Sequence, residues 1–409
     1  MKIAVIGAGA AGMIAAVTAK SKGAEVTIYE HMPRIGKKLL LTGSGKCNIS
    51  NDDMDLSHYH SEDESLHLVK NVFAHVSKED VIKTFENLGL ITKNKRGYIY
   101  PFSEQASSVL DVLRFSLRDS LVEVITDVDI SSIDINDNGQ FLIMSSLSAS
   151  DCYDKIIIAT GSCAYRQTGS DGSGYNFAKR FGHSIVKPLP ALTPLICEGD
   201  FFASVAGIRT YAKVTICDIS ETGELQLTKT GISGINVFNL SYLAAKALDK
   251  GENVFADIDF LPDINSDDLK ELMKRRIREN PSRTIEELFI GILHKNLGIV
   301  LIKKSDVYHK LNDRVSNLSE KEILSVCDTV KCFKIPVYKC SGFDNSQVVC
   351  GGVNCLEIND NLESKKTPGV YFAGEVLDVN GDCGGYNLTF AFASGIYAAL
   401  CASKQDDKN

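Results

Sequence analysis

The stretch Ile3-Ala4-Val5-Ile6-Gly7-Ala8-Gly9-Ala10-Ala11-Gly12 constrains this chain more than any other. Four apolar residues fit a strand buried in a parallel sheet. They run straight into a GxGxxG loop and then a helix pattern from about Ala10 to Lys20, which Gly23 ends. Glu25-Val26-Thr27-Ile28-Tyr29 reads as the second strand, with Glu30 at its end. Gly7 permits the tight turn, Gly9 lets backbone approach a pyrophosphate, and Gly12 lets helix and strand pack closely. The helix start, with Ala10 and Ala11 in its first turn, offers unpaired N–H groups and the positive end of its dipole. Glu30 suits a ribose diol and disfavours a 2′-phosphate, which points to the adenosine of FAD or NAD over that of NADP. A lone GxGxxG is a weak signal. Strand, helix, second strand and acid in the required order make it a strong one.

Three further segments favour FAD. The first, Arg34 to Asn48, follows Glu30 directly and is rich in glycine and cations: Gly36, Lys37, Lys38, Gly43, Ser44, Gly45 and Lys46, then Cys47 and Asn48. That composition suits wrapping a pyrophosphate and the flavin side of a dinucleotide. The second is the apolar strand Lys155 to Ile158, ending in Ala159-Thr160-Gly161, which fits a strand passing beneath the cofactor. The third runs from Gly369 to Thr389. There a strand ends at Ala373-Gly374, the acid Glu375 follows, and Gly384-Gly385-Tyr386-Asn387 opens an apolar helix from Leu388 to Leu400. An acid after such a strand bonds ribityl hydroxyls. A helix amino terminus aimed at the flavin edge stabilises the negative charge of the reduced ring. A plain NAD dehydrogenase has no use for this closing segment.

These stretches resemble the bacterial YhiN/BaiN-type FAD-dependent oxidoreductases, which include proteins called aminoacetone oxidases. The resemblance rests on Gly7 to Gly12 with Glu30, on Gly36 to Asn48, on Thr168 to Tyr175, and on Gly369 to Asn387; Thr228 to Gly234 also fits. Lys46 departs from the pattern, because members often carry Arg there. It keeps the charge but not the planar fork. The resemblance implies an α/β architecture: a Rossmann-like FAD-binding domain built from both chain ends, an inserted β-barrel and a small helical domain. The expected boundaries are 1–189 with 345–409, 190–261 with 330–344, and 262–329. The expected cofactor contacts are Gly7, Gly9, Ala10, Ala11, Gly12, Glu30, Lys37, Lys38, Ser44, Lys46, Cys47, Asn48, Val128, Thr160, Gly161, Gly374, Glu375, Gly385, Tyr386, Asn387 and Leu388.

The middle of the chain agrees in outline. At 409 residues it is long enough for two or three domains. Lys187-Pro188-Leu189-Pro190 and Thr193-Pro194 mark a crossing out of the first domain, and Leu195 to about Asp259 is β-rich. Ser266 is placed to cap a helix over Asp267 to Glu279, which Pro281 ends. Thr284 with Glu287 and Ser319 with Glu322 read as capping boxes for two more. Residues 404–409 read as a frayed tail.

A formal charge of −8 argues against nucleic acid or an anionic membrane as the main partner, despite a local basic run at Lys274 to Arg278. No apolar run approaches the ~20 residues that span a bilayer, and Met1-Lys2 passes directly into a strand, so the chain reads as cytoplasmic. Its twelve cysteines form no CxxC pair; the closest spacings are Cys327/Cys332 and Cys350/Cys355. No metal site follows, and the thiols read as reduced, small apolar residues.

The expected function is an FAD-dependent oxidoreductase on a small or medium apolar organic substrate, reducing an activated C=C bond with electrons from NADH or NADPH. No second strand–GxGxxG–helix unit is visible, so a nicotinamide donor visits the flavin face transiently. Amine oxidation with O2, flavin-dependent RNA modification, and flavin binding without turnover are the alternatives. Tyr386, Asn387 and Asn48 are candidates for polarising a carbonyl or the flavin rim, with Tyr175 behind them. Cys47 with Cys383 is a candidate redox pair.

Overall fold

A computed structural model describes residues 1–63, 66–146 and 151–404. The expected tail at 405–409 lies outside the described residues. The chain divides into two compact units, Met1–Leu189 with Gln347–Asn409 and Pro190–Ser346.

The first unit is built on a five-stranded parallel sheet, in the order Val370–Phe372, Lys155–Ile158, Lys2–Ile6, Glu25–Tyr29, Glu123–Ile125. Ile3 to Ile6 sit at 0–4% exposure, as a strand covered on both faces requires. The Ala-rich helix Ala10–Ser21 follows the glycine loop and ends where Gly23 turns at φ +86°. The closing helix Tyr386–Ala402 is apolar on nearly every side and buried all round. It packs on the first helix through small residues. A Cβ built on Gly395 would lie 2.5 Å from the Ala11 carbonyl oxygen, and one on Gly374 would lie 2.8 Å from Ala11 Cβ. The two ends of the sequence thus meet through absent side chains.

Smaller sheets decorate this frame. Thr92–Lys95, Tyr98–Pro101 and Ser50–Asn51 form one antiparallel sheet; Ile130–Ile135, Phe141–Ser145 and Asp151–Tyr153 form another. Tyr59–His60 pairs with Asn380–Gly381.

The second unit holds a closed six-stranded barrel, in the order Leu195–Cys197, Gly231–Ser233, Ile219–Leu227, Arg209–Ile216, Val254–Asp259, Phe333–Cys340. Helices Ser266–Glu279, Lys295–Lys304 and Glu320–Lys331 share one hydrophobic cluster with it. Leu269, Met273, Leu301 and Val326 are buried in the same cluster as Val214, Ile258 and Phe333. Two capping expectations change. Asn265, not Ser266, caps the first of these helices, accepting from the Asp268 N–H at 2.9 Å. The Thr284–Glu287 box forms but opens only the short 3-10 turn Ile285–Glu287. The Ser319–Glu322 box caps Glu320–Lys331 as its spacing requires. Among the described residues no helix is long and apolar enough to cross a membrane.

Candidate functional site

The first helix begins without a side-chain cap. Gly9 holds the N-cap position at φ −83°, and a Cβ built there meets nothing within 4 Å. The N–H groups of Ala10, Ala11 and Gly12 are thus offered to a ligand. Gly7 stands at φ +100°, where a Cβ would lie 2.6 Å from the Ala159 carbonyl oxygen; a Cβ on Gly12 would lie 1.9 Å from the Gly7 oxygen. Glu30 has a second duty that the sequence did not reveal. Its Oε2 accepts from the Ala8 N–H and its Oε1 from the Met32 N–H, both at 2.9 Å. It ties the glycine loop to the next one, while each carboxylate oxygen keeps a lone pair for a hydroxyl. Val128 lies beside it, its N–H donating to the Glu30 carbonyl at 3.2 Å. The Gly36 N–H donates to Ala8 at 2.9 Å, which brings half-buried Lys37 and Lys38 toward the cradle.

Further along, Lys38 Nζ meets Glu375 Oε2 at 2.6 Å, joining residues 337 apart in sequence. The other oxygen of Glu375, Asn48 Oδ1 and the Tyr175 hydroxyl are buried with no hydrogen-bond partner within the chain. Each such atom costs ~1–3 kcal/mol when left unmet. All three stand on segments that the sequence assigns to the cofactor end or to the family pattern. Burial, with Cys163 and Glu375 nearby, pushes the Tyr175 hydroxyl far above the ordinary phenol range. Thr160 and Gly161 are roofed by the Gly172–Tyr175 turn, since a Cβ on Gly174 would lie 1.9 Å from Thr160 Oγ1. Gly374 donates its N–H to Ser394 Oγ at 2.9 Å. Gly385 opens the closing helix at φ +104°, uncapped, with Ser50 backbone 2.7 Å from where a Cβ would sit; Tyr386, Asn387 and Leu388 form the first turn. A glycine cradle at one end, and unmet buried acceptors beside an open helix start at the other, fit FAD.

Several candidates read differently once placed. Asn387 is spent inside its own loop: its Oδ1 accepts from the Gly381 N–H at 2.8 Å, and its Nδ2 donates to the Gly381 and Asp382 carbonyls at 2.7 and 3.3 Å. It clamps that loop, which removes it from the candidates for polarising a carbonyl. Cys47 sits at φ +57° and is fully buried. Burial pushes its thiol up to about 12, and burial pushes Cys383 to about 11. Both are free thiols. Neither supplies the thiolate that a redox pair needs at neutral pH. Ser44 and Lys46 are exposed, and Lys46 pairs with Glu104 at 3.5 Å.

The sequence missed two clusters. His58 stacks on Tyr386 with ring centroids 4.4 Å apart. Its Nδ1 meets Asp382 at 2.9 Å and its Nε2 meets Asp53 at 3.2 Å, while His60 Nε2 meets the other Asp382 oxygen at 3.0 Å. The His-x-His spacing was legible; its acid lies 324 residues away from His58, so no local pattern joined them. Burial lowers the basicity of His58, but the bonds to Asp382 and Asp53 outweigh it, and its pKa is raised. The second cluster gathers Lys46, Lys93 and Lys95 on Glu104. Among the described residues no group of His, Cys, Asp or Glu is disposed to hold a metal ion.

The chain matches the HI0933-like protein Rossmann domain over residues 1–401. It is 38% identical, over 99% of both chains, to the 3-dehydro-bile acid delta(4,6)-reductase of Clostridium scindens. It is 28% identical, over 98% of both, to the ribosomal RNA dihydrouridine synthase of Haemophilus influenzae, and 25% identical, over 95% of both, to that of Escherichia coli. Among solved structures, a 3-ketosteroid-delta4-(5alpha)-dehydrogenase from Rhodococcus jostii shares the fold, with a TM-score of 0.51 and 13% identity over 98% of this chain and 96% of that one.

Proposed function

The chain belongs to the HI0933-like Rossmann family and is an FAD-dependent oxidoreductase; from that premise we propose that it saturates a C=C bond conjugated to a carbonyl, with NADH or NADPH as the electron source. The observation that carries this reading is the full-length likeness to the bile acid reductase. A 3-oxo-Δ4,6 system is a carbonyl in conjugation with two C=C bonds, and such bonds accept hydride at the carbon remote from the oxygen.

Bound FAD supplies the two-electron chemistry. The protein holds and shields it. In this reading the N–H groups at Gly9, Ala10, Ala11 and Gly12 hold the pyrophosphate, and Gly7 keeps the turn tight. Glu30 and Val128 border the adenosine. Lys37, Ser44 and Lys46 line the approach. Lys38, Cys47, Asn48, Thr160, Gly161, Gly374 and Glu375 surround the ribityl and ring end, where the unmet oxygens of Asn48 and Glu375 take hydroxyl or N–H donors. The helix start at Gly385, Tyr386, Asn387 and Leu388 favours negative charge on the adjoining ring edge.

Anaerobic titration with NADH and with NADPH tests the reading. One of them is expected to bleach the oxidised flavin bands, and a 3-oxo-Δ4 steroid acid is expected to restore them. Bleaching by a small amine with reoxidation only by O2 would establish amine oxidation instead. A second reading has its own support in the two RNA-modifying relatives. A uracil ring also carries a C=C bond conjugated to a carbonyl, so the same chemistry would serve. The charge of −8 weighs against it, because an acidic surface repels the phosphate backbone. Reduction of uridines in unmodified ribosomal RNA, with no turnover of the steroid, is the result that would select it.

A further inference from the structure

Antiparallel pairing sets Lys93 opposite Tyr100 and Lys95 opposite Tyr98, so these four side chains share one face of the hairpin. Asn51 pairs with Tyr98 from the third strand and shares that face; Ile99 turns the other way and is buried. This face borders the cofactor loops. Asn51 Nδ2 donates to the Gly384 carbonyl at 2.9 Å. A Cβ on Gly384 would lie 3.3 Å from the Tyr98 ring, and one on Gly43 would lie 3.8 Å from the Tyr100 ring. Two half-buried tyrosines therefore flank the loops that lead to Asn48 and to Tyr386.

Charge is distributed unevenly along this strip. At one end Glu104 receives Lys93 at 2.8 Å, Lys95 at 3.3 Å and Lys46 at 3.5 Å. Three ammonium groups on a single carboxylate leave positive charge in excess. Glu104 takes φ +52°, a conformation few non-glycine residues adopt, and Lys93 with Lys95 holds its carboxyl down at about 2. Lys93 Nζ also stands 5.3 Å over the exposed Phe102 ring. At the other end, beside Tyr386, lie Asp382 and Asp53 with His58 and His60. A flat guest along the tyrosines meets cations at one end and carboxylates at the other.

We infer that Lys46, Lys93 and Lys95 form an anion-recognising end of the substrate site, and that the guest is a flat, apolar ring system bearing a carboxylate. The inference rests on the reductase reading and adds the polarity of its substrate. Apolar rings cover the tyrosines, while the carboxylate shares the lysines with Glu104 and is turned away from Asp382 and Asp53. Partly exposed ion pairs of this kind are worth roughly a five- to tenfold preference.

The test is equilibrium dialysis of a 3-oxo-Δ4 steroid acid and of its neutral methyl ester against the FAD-loaded protein. The wild type is expected to bind the acid about five- to tenfold more tightly, a preference that 0.5 M salt weakens. The double variant K93Q/K95Q should bind acid and ester alike, with its melting temperature unchanged, and K93R should keep the preference. Equal binding of acid and ester by the wild type, or an unchanged preference in the double variant, overturns the assignment. So does lysine-dependent binding of ribosomal RNA with no binding of either steroid. Because binding is read apart from turnover, failure of the protein to reduce the enone would remove the reductase reading and leave this measurement standing.

Discussion

His58 shows what a single residue can decide. Both ring nitrogens meet carboxylates, and its backbone carbonyl accepts from the Asp382 N–H at 2.9 Å, so one imidazole joins the loop after Asn51 to the loop before the closing helix. Its pKa is raised, chiefly because the bonds to Asp382 and Asp53 overcome the opposing effect of burial. The sign follows from linkage. A histidine more basic in the folded state contributes stability that is fully present below the ordinary value near ~6.5 and is lost as pH rises through its elevated folded value. Hydrogen exchange at the Asp382 amide is therefore expected to quicken above that pH. Asp382→Asn should bring His58, followed by NMR, back toward the ordinary histidine range; a His58 titration that ignores the substitution would show that the pair does not exist in solution. Cys47 teaches the opposite lesson. Its place beside Asn48 made it a chemical candidate, yet burial holds the thiol neutral.

At the scale of elements, the glycines act through what they lack. The first helix approaches its strand because Gly12 has no side chain to strike the Gly7 oxygen, 1.9 Å from an ideal Cβ. That oxygen is backbone and cannot rotate away. Gly12→Ala is therefore expected to destabilise the protein by about 1–3 kcal/mol through overpacking and to weaken FAD retention, measured by thermal melting and by the flavin absorbance of purified protein. Gly9 offers the contrast. A Cβ there meets nothing, so Gly9→Ala should leave the melting temperature of the FAD-free protein nearly unchanged and lower FAD affinity alone. Equal losses in both measurements for both variants would mean that the two glycines serve packing in the same way. The helix caps show how far local sequence carries. Ser319–Glu322 forms the reciprocal box its spacing predicts, whereas Ser266 yields its role to Asn265, one residue earlier, because either oxygen-bearing side chain can serve and backbone geometry chooses.

For the whole molecule, the cofactor cradle draws on both chain ends. Lys38 meets Glu375 across 337 positions, and the first and closing helices pack through Ala11, Gly374 and Gly395. A ligand that binds only the joined ends stabilises the fold by mass action, ~2.7 kcal/mol at a hundredfold excess over its Kd. Stripping FAD should lower the melting temperature, and adding it back should restore it; an unchanged melting curve would mean that the ends hold together without the cofactor. The sequence by itself determined the dinucleotide cradle, the choice of FAD and the family, because strand, glycine loop, helix and acid are bound by short-range spacing that leaves a local pattern. It did not reveal that Glu30 fastens the glycine loop, that Asn387 is consumed in clamping its neighbours, that Asp382 joins two histidines, or that Lys46, Lys93 and Lys95 converge on Glu104. Those were decided only by tertiary structure. Hydrogen bonds and ion pairs act over a few ångströms, and chain positions hundreds of residues apart reach that distance only after the sheet has formed and the ends have closed.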